Sequence, residues 1–278
     1  MMPHQAFASE ELRRFSVATL GALGVPGNEA DMVADVLLDA DRRGSATHGI
    51  LRLPLYADRV RRKTLTAVAD IQTVSDRPAI AHLDAGFALG PVAAVRAMAL
   101  AADKAAQGGI GLVLMRRASH FGIAGYHARG ATARGLIGIA ASNTAAMLVP
   151  PGAQRAAVGN SPLAIALPDG SGGTAFTTDL AFSATSLGRI LLSRAEGRAI
   201  PPDWALDSTG APTTDPAAAL SAGLLLAAAG GKGFALALAV EALTGLLAGA
   251  GFGPGLPSIY RHPDATQDLG QLFLAIDP

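Results

Sequence analysis

From residue 136 to residue 180, three short apolar runs, GLIGIAAS, SPLAIALP and GTAFTTDL, follow one another with no amphipathic helix between them. Strands paired in parallel need a long crossover, most often a helix, whereas antiparallel neighbours join through a short turn. The succession argues against a doubly wound parallel sheet. It predicts an α+β fold with a mixed, largely antiparallel sheet. Two further glycine-bounded runs, GIGLVLM and GQLFLAID, read as strands of the same kind. Gly170 to Gly173 reads as a turn tip, and GAGFGPGLPS at 249 to 258 as a loop with freedom to move.

Helices gather ahead of these strands. Ser9 with Glu10 and Glu11 supplies an N-cap acceptor and first-turn carboxylates, and Gly21 and Gly24 mark the stop. Asn28 opens a second helix, in which Val33, Val36, Leu37 and Ala40 share one face and Arg42 and Arg43 suit the C-terminal end. In GPVAAVRAMALAADKAAQGG, Pro91 takes a first-turn position, Val92, Val95 and Ala99 form a stripe, and glycines mark the exit. An N-terminal helical segment, residues 1–75, is therefore expected to precede an α+β domain over 76–278.

At 278 residues the chain can bury a sizeable core. Its 22 Lys and Arg balance 22 Asp and Glu, so no net field favours nucleic acid or an anionic membrane surface as a partner. Cysteine is absent, which removes disulfides, thiolate nucleophiles and thiolate metal sites. The N-terminus MMPHQAFASEELRRF lacks the apolar core of an export signal, so a cytoplasmic location is expected. Uncharged stretches at 135–154, 216–231 and 242–260 are short or broken by Asn143, Thr144, Pro150, Pro151 and several glycines, and none is expected to cross a bilayer.

The motifs of several enzyme classes are missing. There is no Gly-x-Gly-x-x-Gly unit of a Rossmann fold, no Walker phosphate loop, no Gly-x-Ser-x-Gly elbow and no His-Glu-x-x-His pair. Three positions stand out against that background. In GSATHGILR, a helix beginning at Thr47 would put His48 and Arg52 on one face, either as a proton donor beside a carboxylate clamp or as a capped helix start with a surface arginine. His120 in ASHFGIAGYHARG falls between a strand and a helix, where sites form but structural histidines are also common. Together with His127, seven positions on, it could also share a helical face as a metal-ligand pair, although no carboxylate lies nearby and no metal is expected. Lys232 in AAAGGKGFALALAVE has glycines on both sides, which fits close approach by a ligand and equally fits a snorkelling lysine at a helix start.

Taken in order, ATHGILRLPLY, SHFGIAGYHA, SNTAAMLVPPGAQRAAVGNSPLAIALP, TTDLAFSATSLGR, IPPDWALDSTGAPTTDP and GGKGFALALAVEALTGLLAGA resemble the motifs of the malate/L-lactate dehydrogenase family of the non-Rossmann type. That family also includes sulfolactate, ureidoglycolate and diketogulonate dehydrogenases and cyclic ketimine reductases. The resemblance implies a homodimeric oxidoreductase that uses NAD or NADP to interconvert 2-oxo and 2-hydroxy acids on a nucleotide-binding fold of its own. By motif position it implies His48 and His120 as acid/base residues and Arg52 as the substrate-carboxylate anchor. Thr144, Thr178, Asp179, Leu180, Gly231 and Lys232 match nucleotide-contacting positions, with substrate orientation as the alternative role for Asp179.

The chain departs from the family pattern at GNSP, residues 159–162, and at AAAGGKG ahead of Lys232. Relatives are also expected to continue past AIDP, which would leave the apolar surface around Leu272, Leu274 and Ile276 exposed. Alternatives to the hydroxyacid dehydrogenase are an NADPH-dependent reductase of cyclic ketimines and an inactive homologue acting as a binding subunit.

Overall fold

The computed structural model describes residues 7–278, so the reading of the N-terminus as free of an export signal falls in part outside the described residues. Helices α1 (Ser9–Gly21), α2 (Gly27–Arg42) and α3 (Leu53–Arg61) come first, followed by the strands β1 (Gln72–Asp76) and β2 (Ile80–Asp84). Helix α4 (Gly90–Gly108), strand β3 (Ile110–Ala118), helix α5 (Ala124–Thr132), then β4 (Ile137–Ser142), β5 (Ala146–Leu148), β6 (Val158–Gly159), β7 (Leu163–Pro168) and β8 (Thr174–Leu180) build the central part. Helix α6 (Leu187–Ala195), β9 (Ala205–Leu206), α7 (Pro216–Ala222), β10 (Leu224–Leu225), α8 (Gly231–Glu241) and β11 (Leu269–Ile276) complete the chain.

Seven strands form one sheet in the order β1-β2-β3-β11-β4-β7-β8, in which only β2 and β3 run parallel. A second sheet, β6-β5-β10-β9, holds four short strands. The architecture is α+β with mixed sheets, as the run of uninterrupted strands predicts. All five runs read as strands are strands, and β7 and β8 join through the turn at 170–173. β1 straddles the boundary expected at residue 75.

β11 is the wall between two cores. Phe273 and Ala275 point into one, with Val113, Met115, Ala140 and the alanines of α4 and α5; Leu272 and Leu274 point into the other, with Leu148, Ile190, Leu225 and Val240. Alternation along a strand buried on both faces produces this division. The exposure expected around Leu272, Leu274 and Ile276 is therefore corrected: β11 pairs on both edges, and Leu272 is only 8% exposed. Exposed leucines lie instead at 236, 238, 243, 246 and 247, along α8, the π-helical turn Ala242–Leu246 and the residue after it, and at 191 and 192 on α6.

Alanine-rich helices pack close to this sheet. Gly138 leaves room for α5, because a Cβ there would meet the carbonyl oxygen of Ala128 at 2.0 Å. On α4 the buried face is Ala93, Ala94, Ala97, Met98, Ala101 and Ala105; Val95 is half-buried and Ala99 exposed, so the expected stripe is rotated toward the alanines. Helix α2 buries the face read from its spacing. Ser9 is the first residue of α1 rather than its cap, and α2 begins one residue before Asn28. Among the described residues no helix is long and apolar enough to cross a membrane.

Candidate active site

His48 and Arg52 do not share a helix that starts at Thr47. Two short 3₁₀ turns, Ala46–His48 and Ile50–Arg52, replace it, and α3 begins only at Leu53. The reason is tertiary: Asp41 accepts a hydrogen bond from the Ile50 amide at 2.9 Å, and a Cβ on Gly49 would collide with that carboxylate. Thr47 serves the site in another way. Its hydroxyl lies 3.1 Å from His48 Nδ1, and its carbonyl accepts from Arg52 Nε at 2.5 Å. His48 and Arg52 are thereby oriented through one residue.

His120 is held on three sides. The residue before it is fixed by Gln271, whose buried Nε2 donates to the Ser119 carbonyl at 2.8 Å. The residue after it is fixed by His127, whose Nε2 donates to the Phe121 carbonyl at 2.8 Å while its ring stacks on Phe121. The His120 ring itself meets the buried Tyr56, with the hydroxyl 2.8 Å from Nδ1. The bulge that redirects β3 into this turn carries Arg117 at φ 48°, a strained value for a non-glycine residue that Asp268 supports by accepting from its amide at 2.7 Å.

The structure thus brings His48 and His120 together, with ring centroids 5.6 Å apart and planes inclined by 18°. Burial and the Arg52 charge lower the His48 pKa to about 4. Burial, then the His48 and Arg52 charges, hold His120 well below 6.5. Both rings are neutral near pH 7, and the pair accepts at most one proton readily because a second would face the first at stacking distance. A hydroxyl can donate or accept, so Tyr56 serves either tautomer of His120 and leaves Nε2 free to take or give a proton.

His127 belongs to a different role from the one its spacing suggested. It sits inside α5, is 1% exposed and is lowered to about 4 by burial, while His120 lies on the preceding loop, so the two share no helical face. Among the described residues no three His, Cys, Asp or Glu side chains converge on a metal position.

The residues matched to nucleotide contacts lie along one connected strip. Thr144, whose buried hydroxyl has no partner among the described residues, packs against Gly159. The next residue, Asn160, accepts from the Ser183 amide at 2.9 Å through its side chain and from the Phe182 amide at 3.2 Å through its carbonyl. Phe182 and Ser183 extend the end of β8, which carries Thr178, Asp179 and Leu180, and they pair with Ala227 and Ala228 just ahead of α8. Gly231 and the exposed Lys232 open that helix, whose first amides have no side-chain cap. A helix N-terminus with a cation and an unpartnered hydroxyl fits the donors that a pyrophosphate and ribose require. Asp179 stands slightly apart: it accepts from the Gly125 amide of α5 at 2.7 Å, and burial raises its pKa despite that bond. Its contact is on the His120 side, because α5 begins four residues after His120.

Sequence reasoning missed Tyr56, Tyr260 and Asn160. Tyr56 lies one turn beyond Arg52 inside ATHGILRLPLY and could have been found by asking what else that motif projects; Tyr260 offers no local signal. Arg52 Nη1 donates to the Tyr260 hydroxyl at 2.5 Å, across most of the chain.

Known proteins resemble this chain along nearly all of its length. The family model described as malate/L-lactate dehydrogenase matches residues 7–278. An L-sulfolactate dehydrogenase of Methanothermobacter thermautotrophicus is 39% identical over 93% of this chain and 75% of its own length. A ureidoglycolate dehydrogenase (NAD+) of Escherichia coli is 36% identical over 97% of this chain and 76% of its own, and a (2R)-3-sulfolactate dehydrogenase (NADP+) of Chromohalobacter salexigens is 37% identical over 96% and 80%. The sulfolactate dehydrogenase structure from Methanocaldococcus jannaschii superposes with a TM-score of 0.92 at 36% identity, over 99% of this chain and 78% of that one. A delta1-piperideine-2-carboxylate reductase structure from Pseudomonas syringae gives 0.90 at 30% identity, over 99% and 82%. The chain belongs to the malate/L-lactate dehydrogenase family of oxidoreductases.

Proposed function

We propose that this chain interconverts a 2-oxo acid and a 2-hydroxy acid with NAD or NADP. The observation that carries the reading is the stacked His48–His120 pair with Arg52 beside it. A bound nicotinamide dinucleotide supplies or receives the hydride at the 2-carbon. Arg52 holds the substrate carboxylate through donors that point away from the Thr47 carbonyl. His120 moves the proton at the 2-oxygen, with Tyr56 adjusting at Nδ1 as Nε2 gives or takes it. Burial and the Arg52 charge keep His120 from holding its proton too tightly, and His48, stacked on that ring, is the other acid/base candidate. Both rings are neutral near pH 7, which suits proton abstraction from a hydroxy acid. A substrate carboxylate offsets the Arg52 charge and makes the imidazolium needed for reduction easier to form.

Lys232, Gly231 and Thr144 would hold the dinucleotide, with Thr178 and Leu180 along the β8 edge and Asp179 between cofactor and His120. The sulfolactate and ureidoglycolate dehydrogenases among the relatives favour a small hydroxy acid carrying a second polar group. A second reading, reduction of a cyclic ketimine, has the superposition on the piperideine-carboxylate reductase in its favour. The homodimer implied by the family resemblance and a cytoplasmic location belong to the same reading.

The test is purified protein assayed with NADH and NADPH against pyruvate, oxaloacetate, sulfopyruvate and a cyclic piperideine carboxylate. Oxidation of either nucleotide with a 2-oxo acid is expected. Turnover of the ketimine alone favours the second reading, and binding of neither nucleotide favours a catalytically silent subunit.

A further inference from the structure

Tyr260 lies on the segment that follows the glycine-rich loop, and that segment is tied down at both ends. At its root, buried Glu241 accepts from the Gly253 amide at 2.7 Å, Asn143 donates to the Gly251 carbonyl at 2.8 Å, and Asp268 accepts from the Gly251 amide at 3.1 Å. Further along, Asp264 accepts from Arg62 at 2.6 Å and the Ala265 carbonyl from Arg59 at 2.9 Å. Arg59 belongs to α3 and Arg62 caps its C-terminal end; that helix starts directly after Arg52. Residues 258–265 therefore form a strap rooted on the main sheet and pinned along α3. The freedom to move read into 249–258 is confined by these bonds.

The strap carries Tyr260 to Arg52. The guanidinium carbon lies 5.4 Å from the ring centroid and Nη1 donates to the hydroxyl. A guanidinium can only donate, so the tyrosine oxygen is the acceptor in that bond and its own proton remains to be given. Tyr260 is 56% exposed, and among the described residues no side chain or carbonyl takes that proton. Arg52 keeps Nη2 for a ligand, because Nε is engaged by the Thr47 carbonyl.

We propose that Tyr260 is a substrate-binding residue whose hydroxyl donates to the same carboxylate that Arg52 holds. The proposal rests on the reading of Arg52 as the anchor. A carboxylate accepts at two oxygens, so guanidinium and phenol satisfy it jointly, and the Arg52–Tyr260 bond fixes the spacing of the two donors before substrate arrives. The strap then has a purpose: by pinning 264 and 265 to α3 it sets where the hydroxyl stands.

Tyr260→Phe keeps the ring under Arg52 and removes only the donor. With saturating NADH or NADPH, the dissociation constant of oxalate, measured by calorimetry, is expected to rise about 5- to 50-fold. The KM for the preferred 2-oxo acid should rise in parallel while kcat and nucleotide affinity stay unchanged. Asp264→Asn, which loosens the strap without touching the hydroxyl, should raise the oxalate constant by a smaller factor in the same direction. Unchanged oxalate binding in Tyr260→Phe overturns the proposal. So does tighter binding, which would mean that Tyr260 merely occupies Arg52 until substrate displaces it. Arg52→Lys measured alongside separates the two levels: if it too leaves oxalate binding unchanged, the anchor assignment itself fails, whereas a loss there with a silent Tyr260→Phe refutes the strap contact alone.

Discussion

The rings of His48 and His120 stack at 5.6 Å between centroids, although one is set by a pair of 3₁₀ turns and the other by a bulged strand. The titration of each ring follows from this arrangement. Burial and Arg52 favour the neutral forms, so the base form needed to oxidise a hydroxy acid should persist well below the usual imidazole range. The pH dependence of kcat/KM in the oxidation direction is expected to stay level through neutrality and fall only well below 6.5, where His120 protonates. A profile that breaks near 6.5 would contradict it.

Arg52→Lys should raise the KM for 2-oxo acids by at least tenfold and leave nucleotide affinity within about twofold, since a point charge cannot reproduce the planar fork. Steady-state kinetics and nucleotide fluorescence titration measure both. Unchanged substrate kinetics would remove Arg52 from the site.

Lys232→Ala should weaken nicotinamide dinucleotide binding by roughly 1 to 3 kcal/mol, the scale of a charge-assisted hydrogen bond. Fluorescence titration reads this directly, and equal dissociation constants for variant and parent would count against it.

His127 makes the fold sensitive to acid. Its pKa is about 4 in the folded chain against about 6.5 when unfolded, so between those values the unfolded state binds more protons. Stability is therefore expected to fall as pH drops from 6.5 toward 4, with a contribution on the order of 3 kcal/mol from this residue. Urea unfolding at pH 7 and pH 4.5 should give a smaller difference for His127→Gln than for the parent. An equal difference would show that the acid sensitivity lies elsewhere.

Elements built from local pattern were legible in the sequence. The five strand runs, the buried face of α2 and the Pro91 start of α4 depend on alternation, spacing and capping that a short window contains. What depended on distant partners was not. The turns at 46–52 are imposed by Asp41, and the buried face of α4 is chosen by how closely alanines let it approach the sheet. His48, His120 and Arg52 stand out from their neighbours in the sequence and take their roles from the motif resemblance, and the structure gathers them. Tyr56 lies in a legible motif, but its partner His120 is 64 positions away, and Tyr260 has no local signal at all and becomes meaningful only when the fold sets it against Arg52, 208 positions away.

The most direct test of the site is His120→Asn followed by rapid mixing of enzyme, reduced nucleotide and 2-oxo acid. Nucleotide and oxalate affinities should stay close to those of the parent, while single-turnover oxidation of the nucleotide slows by about 10² to 10⁴. Oxidation at the parental rate, with binding intact, would contradict the assignment of proton transfer to His120.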